Sequence, residues 1–256
     1  MIRSKHLSEV IRLALALAVG MTVAGGVAGL AEPGVTVTRT AEPPNLGRAK
    51  IAVKEYYGGH LVEGKNQHSD DSQWARDVQE KAHEARQALD EVGPAAKPAI
   101  VLDIDDTAEV TYGWQADSDF AFDHREHHEA IKAKVFKPVL PVRELAWQAR
   151  SKGIKVYFVT GRREDVRQAT VDHLAEEGYP EPAGVFLKPA RPETAPPYLH
   201  CKDRCPTAVF KSLTRKHIVE DIGDTIVVNI GDQDSDFAGE HSPRNVKLPN
   251  PMYYLP

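Results

Sequence analysis

Pro98-Ala-Ile-Val-Leu-Asp-Ile-Asp-Asp-Thr107 is a short apolar run that ends in carboxylates, two of them spaced i and i+2. A continuous apolar run of this length fits a strand buried on both faces of a parallel sheet. Working outward, similar runs occupy residues 154–159, 184–187 and 225–230, with a short fifth at 245–248. Helical signals separate them. Pro141 opens a helix with Val142, Leu145, Ala146 and Ala149 on one face, closed by Gly153. A second helix spans residues 164–177 and stops at Gly178, and a third spans 209–221. Upstream, Trp74, Val78, Ala82, Ala85 and Leu89 recur at helical spacing behind possible caps at residues 69–72, and another helix is expected at 49–57. Strands alternating with helices predict an α/β fold, a doubly wound parallel sheet of Rossmann-like type with N-terminal helices. Residues 108–140 show no clear strand and are expected to form a small helical cap. It would lie over the crevice beyond the carboxyl ends of the strands.

The 256 residues, 41% hydrophobic and 27% charged, suffice for one sizeable core and exclude collagen-like, coiled-coil or wholly disordered classes. The first 31 residues combine Arg3, Lys5 and Arg12 with an uncharged, small-residue stretch from Leu13 to Ala31. That pattern is expected of a signal peptide cut before Glu32; a retained membrane anchor is the alternative. Residues 32–48 are Pro-rich and read as a flexible lead-in, leaving 49–256 as the functional domain. Without the first 31 residues the chain has 29 basic and 36 acidic residues, a balance of −7. Such a surface offers no long-range attraction to nucleic acid or anionic lipid, so an anionic substrate must be held by local charge. The only two cysteines, Cys201 and Cys205, are expected to form a local disulfide in an oxidising compartment outside the cytoplasm. Half of a zinc site with His200 and His217 is the rival reading.

The polar clusters at the strand ends carry the chemistry. Asp103 and Asp105 can point into one pocket, and carboxylates that close repel unless a hard cation such as Mg²⁺ joins them. Thr160 offers a hydroxyl and Gly161 an open backbone amide at an expected helix start, an arrangement suited to an anion. Lys211 sits in a helix that could aim an ammonium at the same place. The run Gly231-Asp-Gln-Asp-Ser-Asp236 supplies further carboxylates for a metal. Phosphoryl transfer needs this combination: a nucleophile in line, a proton donor, and positive charge on the equatorial oxygens.

The ordered set Asp103-Ile-Asp-Asp-Thr107, Val159-Thr-Gly-Arg162, Phe210-Lys-Ser212 with Arg215, and Ile230-Gly-Asp-Gln233 with Ser235-Asp236 resembles the haloacid dehalogenase superfamily of phosphohydrolases. With the ending Lys247-Leu-Pro-Asn-Pro-Met-Tyr-Tyr254, it looks most like the secreted, class B-type acid phosphatase branch related to plant vegetative storage proteins. The resemblance runs from about residue 50 to the carboxyl terminus. It implies a Mg²⁺-dependent acid phosphatase acting on small phosphomonoesters, with Asp103 as nucleophile and Asp105 as acid and base. It also implies phosphoryl contacts from Thr160, Gly161 and Lys211, with Arg162 assisting. The metal would be bound by Asp103, the backbone carbonyl of Asp105, and Asp232, with Asp236 nearby. A protonating Asp105 favours phosphate esters over alkyl halides, whose leaving group needs no proton. Asp234 departs from the branch, which usually has an aromatic residue there.

Three readings compete with these. A storage or binding protein on the same scaffold is the alternative function, although storage alone would not require Asp103, Asp105, Lys211 and Asp232 together. The stretch Asp123-His-Arg-Glu-His-His-Glu129 is read as a polar, solvated part of the cap rather than a metal site. Trp114, Phe120 and Phe122 could line a leaving-group pocket or pack the cap's own core.

Overall fold

The computed structural model describes residues 42–93, 97–201 and 205–255; the expected signal peptide and most of the lead-in lie outside them. The first described elements are α1 (Leu46–Tyr56), a hairpin of β1 (His60–Val62) and β2 (Lys65–Gln67), and α2 (Gln73–Asp90). Helix α1 begins three residues before the expected start, capped by the Asn45 side chain on the Arg48 amide. Ser72 caps α2 through the Ala75 amide, and the buried face of that helix is the predicted Trp74, Val78, Ala82, Ala85, Leu89 stripe.

Then come β3 (Pro98–Leu102), β4 (Glu109–Val110), α3 (Tyr112–Asp117), α4 (His124–Lys132), β5 (Lys137–Pro138) and α5 (Leu140–Ser151). The chain continues with β6 (Lys155–Arg163), α6 (Arg167–Glu176), β7 (Gly184–Lys188), α7 (Thr207–Glu220), β8 (Thr225–Gly231) and β9 (Asn245–Lys247). Five strands form one wholly parallel sheet in the order β7-β6-β3-β8-β9. Side chains alternate between its two faces, interrupted in β8 by a register shift between Ile226 and Val228. Ile100, Leu102, Val156, Phe158, Val228 and Ile230 join the core under α2 and α5, whereas Ala99, Val101, Tyr157, Val159 and Ile226 pack with Phe210 and Ile218 of α7. Both sets are buried, which is why these strands read as unbroken apolar runs.

The chain leaves central β3 first towards β6 and β7, then returns to the other side for β8 and β9. That reversal opens a crevice at the carboxyl end of β3, directly beyond Leu102. The expected cap is built of α3 and α4, but its root is a short antiparallel pair, Glu109 against Pro138 and Val110 against Lys137, that the sequence reading missed. Two-residue strands are too short to show an alternating pattern. A second correction concerns Thr160, Gly161 and Arg162, expected in a loop at a helix start. Strand β6 runs on through them to Arg163, with a register shift against β7, and α6 begins only at Arg167. Gly161 therefore offers its amide from a strand, not from a helix terminus. Among the described residues no helix is long and apolar enough to cross a membrane.

Candidate active site

Asp103 follows β3 directly, and its amide still bonds to Ile230 of β8, so the strand pairing fixes its position. Asp232 follows β8 and is 1% exposed. Its Oδ2 accepts hydrogen bonds from Gln233 Nε2 and Asn250 Nδ2, each 2.7 Å away. Asp236 comes from the turn after β8, where the Gln233 amide donates to its carboxylate at 2.8 Å. The turn is held from behind by Arg215 of α7, whose Nη1 donates to the Asp236 carbonyl at 2.6 Å. A side chain at Gly231 would run into the Asp236 carboxylate, so glycine is required there. Asp103, Asp232 and Asp236 thus each offer an oxygen, all within 4.8 Å of one another.

Lys211 projects from the buried face of α7 into this group. Its ammonium lies 2.6 Å from Asp103 Oδ1 and also contacts Asp236. Burial pushes Asp103 well above the ordinary carboxylate range; Lys211 opposes that push, and Asp236 and Asp232 add to it. Burial, with Asp236 and Asp106 nearby, pushes Asp232 up to about 7. Lys211 is itself held above its ordinary value, because Asp103 and Asp236 outweigh its own burial. Three carboxylates face a single ammonium, which leaves a surplus of two negative charges when all are ionised. A divalent cation with oxygen ligands fits that surplus, and the convergent oxygens suit it. Asp103 Oδ2 accepts no hydrogen bond from the described residues and remains available to react.

Asp105 is placed differently. Its carboxylate is gripped by Arg162, with Nη2 at 2.6 Å from Oδ1 and Nε at 3.1 Å from Oδ2, and His127 Nε2 of α4 lies 3.5 Å away. Burial would raise its pKa, but Arg162 and His127 outweigh it and hold the carboxyl well below the usual range. Arg162, expected to assist at the phosphate, lines the same cavity and is shared between Asp105 and Glu109, whose Oε2 lies 2.6 Å from the same Nη2. Thr160 is fully buried; its Oγ1 accepts from the Arg162 amide at 3.1 Å, leaving the hydroxyl proton to donate. Asp106, in a left-handed turn, accepts from the Thr111 amide and hydroxyl and from Tyr253, and burial pushes it up to about 7.

A cavity of about 890 Å³ opens against this cluster; its wall includes Asp103, Asp105, Gly161, Arg162, Lys211 and Asp232, but neither Thr160 nor Asp236. Phe120, Phe122 and His127 line its cap side, and Lys188 and Arg163 its other rim. The solvated reading of the histidine stretch fails at His127. Its side chain is 12% exposed and packs among Trp114, Phe122 and Phe136. Helical spacing could have shown His127 on the same face of α4 as Ile131, but nothing local distinguishes it from His124 or His128. The aromatic question resolves both ways, since Phe120 and Phe122 line the cavity while Trp114 packs against the cap cluster. Glu109 carried no signal in the sequence, and Asn250 entered only as part of the ending Lys247–Tyr254 that carries the resemblance. Cys201 and Cys205 are bonded to each other on the cavity wall, so the zinc alternative falls.

The family profile described as HAD superfamily, subfamily IIIB (Acid phosphatase) matches residues 55–256. Acid phosphatase 1 of Solanum lycopersicum is 30% identical over 193 residues, 70% of this chain and 67% of that protein. The stem 28 kDa glycoprotein of Glycine max is 37% identical over 109 residues, and vegetative storage protein 1 of Arabidopsis thaliana is 32% identical over 104. Those two matches cover 41% of this chain but span only 38% and 34% of the relatives' own lengths. Among solved structures, the class C acid phosphatase from Bacillus anthracis superimposes with a TM-score of 0.61 at 20% identity, over 82% of this chain and 86% of that one. This last likeness concerns the fold.

Proposed function

The chain belongs to subfamily IIIB of the HAD superfamily, the acid phosphatases, and is a phosphomonoester hydrolase; on that premise we propose a Mg²⁺-dependent reaction through an aspartyl-phosphate on Asp103. The observation that carries the proposal is the convergence of Asp103, Asp232 and Asp236 around Lys211, with one Asp103 oxygen uncommitted at the cavity wall. Asp103, Asp232 and the carbonyl of Asp105 would hold the cation, with Asp236 beside them. When bound, it would neutralise charge on the phosphoryl oxygens.

Asp103 Oδ2 attacks phosphorus, the ester P–O bond breaks, and the leaving alkoxide takes a proton. Lys211, fixed between Asp103 and Asp236, stabilises charge on the transferring group, with the Gly161 amide on the cavity wall available to the remaining oxygens and the Thr160 hydroxyl buried beside it. Asp105 is suited as drawn to the second half-reaction, where an anionic carboxylate takes the proton of the attacking water. To serve first as the acid it must be protonated, which requires Arg162 to loosen its grip. An acidic working pH supports that step.

The substrates are small phosphomonoesters whose leaving groups occupy the space between Phe120, Phe122 and His127. The Cys201–Cys205 disulfide supports an oxidising compartment, and we propose that residues 1–31 direct export, without stable membrane association after cleavage. A storage role on the same scaffold draws support from the soybean and Arabidopsis relatives, but the complete set of charged groups favours the enzyme. Hydrolysis of a chromogenic phosphomonoester tests the reading. We expect chelator to abolish turnover, Mg²⁺ to restore it, and D103N to lose at least about 10³-fold in kcat. Full activity in D103N would show that the nucleophile is misassigned.

A further inference from the structure

The described residues contain a second convergence of metal-binding groups, away from Asp103: Glu109 of β4 with His173 and Glu177 at the carboxyl end of α6. His173 and Glu177 are spaced i and i+4, so they share one helix face. Glu109 reaches them from the root of the cap. The side chains of the three are 0%, 6% and 6% exposed. Their ligand atoms lie within 4.8 Å of one another.

The hydrogen bonding here is unfinished. Glu109 commits Oε2 to Arg162, while its buried Oε1 has no hydrogen-bond partner. His173 Nδ1 lies 3.2 Å from that oxygen but out of hydrogen-bond alignment, and is likewise unpartnered. Neither oxygen of Glu177 makes a hydrogen bond, and its Oε1 stands 3.6 Å from His173 Nε2. Buried polar atoms left bare in such number are costly, and burial together with Glu109 pushes Glu177 up to about 9.

We propose that Glu109 Oε1, His173 and Glu177 form a second divalent-cation site that takes a first-row transition ion, Zn²⁺ foremost. One imidazole nitrogen with two carboxylates is a donor set suited to Zn²⁺, whereas Mg²⁺ and Ca²⁺ favour oxygen alone. A tetrahedral ion with bonds of about 2.0–2.1 Å draws its ligand atoms closer than they stand here. Glu177 can close that gap by turning, because its oxygens have no bond to break. The ion would pin α6 to the base of the cap. It would also sit one residue from the catalytic centre, since Glu109 and Asp105 share Arg162.

The test uses the full chain, stripped of metal, saturated with Mg²⁺, and titrated with Zn²⁺ by calorimetry and with Co²⁺ by visible absorption. H173N and E177Q should each bind one equivalent of Zn²⁺ fewer than wild type. Each should also be protected less against thermal unfolding by Zn²⁺. Loss of a supporting group near a metal typically costs 10–100-fold in affinity, so loss of a ligand should cost at least about 100-fold. Equal stoichiometry and affinity in wild type and both variants would overturn the site, leaving His173 packed between two carboxylates with no ion. Should a variant fail to fold, the Co²⁺ spectrum of wild type decides. The intense band of a four- or five-coordinate ion supports the site, and a weak octahedral band alone overturns it.

Discussion

Raising the pH of the metal-free protein from 6 to 8 should weaken its fold, and a divalent cation should oppose the trend. Burial holds Asp106 and Asp232 at about 7 in the folded chain, against about 3.9 for an aspartate in the unfolded one. A carboxyl whose folded value is raised contributes stability below its unfolded pKa and loses it as the pH rises through the folded value. Between pH 6 and 8 the unfolded chain has no such protons left to release, while each folded carboxyl gives up most of one. The loss is about 1.4 kcal/mol for each group, about 3 kcal/mol together. Glu177, pushed up to about 9, acts in the same sense. Asp105 and Glu109, held low mainly by Arg162 against their burial, have finished titrating below this window. His68 and His128, held low by burial, run the opposite way and favour the fold as the pH rises. Comparison with D232N cancels those histidines, since neither touches Asp232. Urea midpoints at pH 6, 7 and 8 in chelator should fall more steeply for wild type than for D232N, by about 1.4 kcal/mol over the range. Mg²⁺ should stabilise wild type more at pH 8 than at pH 6, because it competes with protons for the same oxygens. Identical slopes in the two proteins, or equal Mg²⁺ stabilisation at both ends, would refute the charge surplus on which the metal assignment rests.

Other outcomes follow from single contacts. K211M leaves Asp103 and Asp236 buried without their ammonium; kcat should fall about 10²- to 10³-fold, and stability in chelator by about 3–5 kcal/mol. Wild-type turnover in that variant would remove Lys211 from the phosphoryl site. R162Q frees Asp105 from the group that holds it low, so the alkaline limb of the kcat/KM profile should move up by about 1–3 pH units. A stationary limb would mean that the proton comes from elsewhere. N250A removes one of the donors that orient Asp232; the Mg²⁺ concentration for half activity should rise about 10- to 100-fold, with kcat at saturating Mg²⁺ little changed. An unaltered Mg²⁺ titration would assign Asn250 to the carboxyl-terminal tail alone.

The apolar runs at 98–102, 154–159 and 225–230 were legible because a strand buried on both faces needs no polar residue. The helices around them were legible because each buries one regular stripe. Those two periodicities determine the layered α/β fold, and the carboxylates at the strand ends with Lys211 of α7 determine its chemistry. Extension of β6 through Thr160-Gly161-Arg162 was not legible: its pairing with β7 is a contact between distant segments, and glycine in a short polar run reads locally as a turn. Nor could the sequence assign partners to charges. Nothing local in Arg162 announced that packing would put both Asp105 and Glu109 on its guanidinium. His127 looked solvated until the cap folded it over Asp105. The type and order of residues determined which elements form and which groups stand at their ends. Tertiary structure alone decided which of those groups are desolvated together, and a buried charge takes its pKa and its role from whichever opposite charge the fold brings within reach.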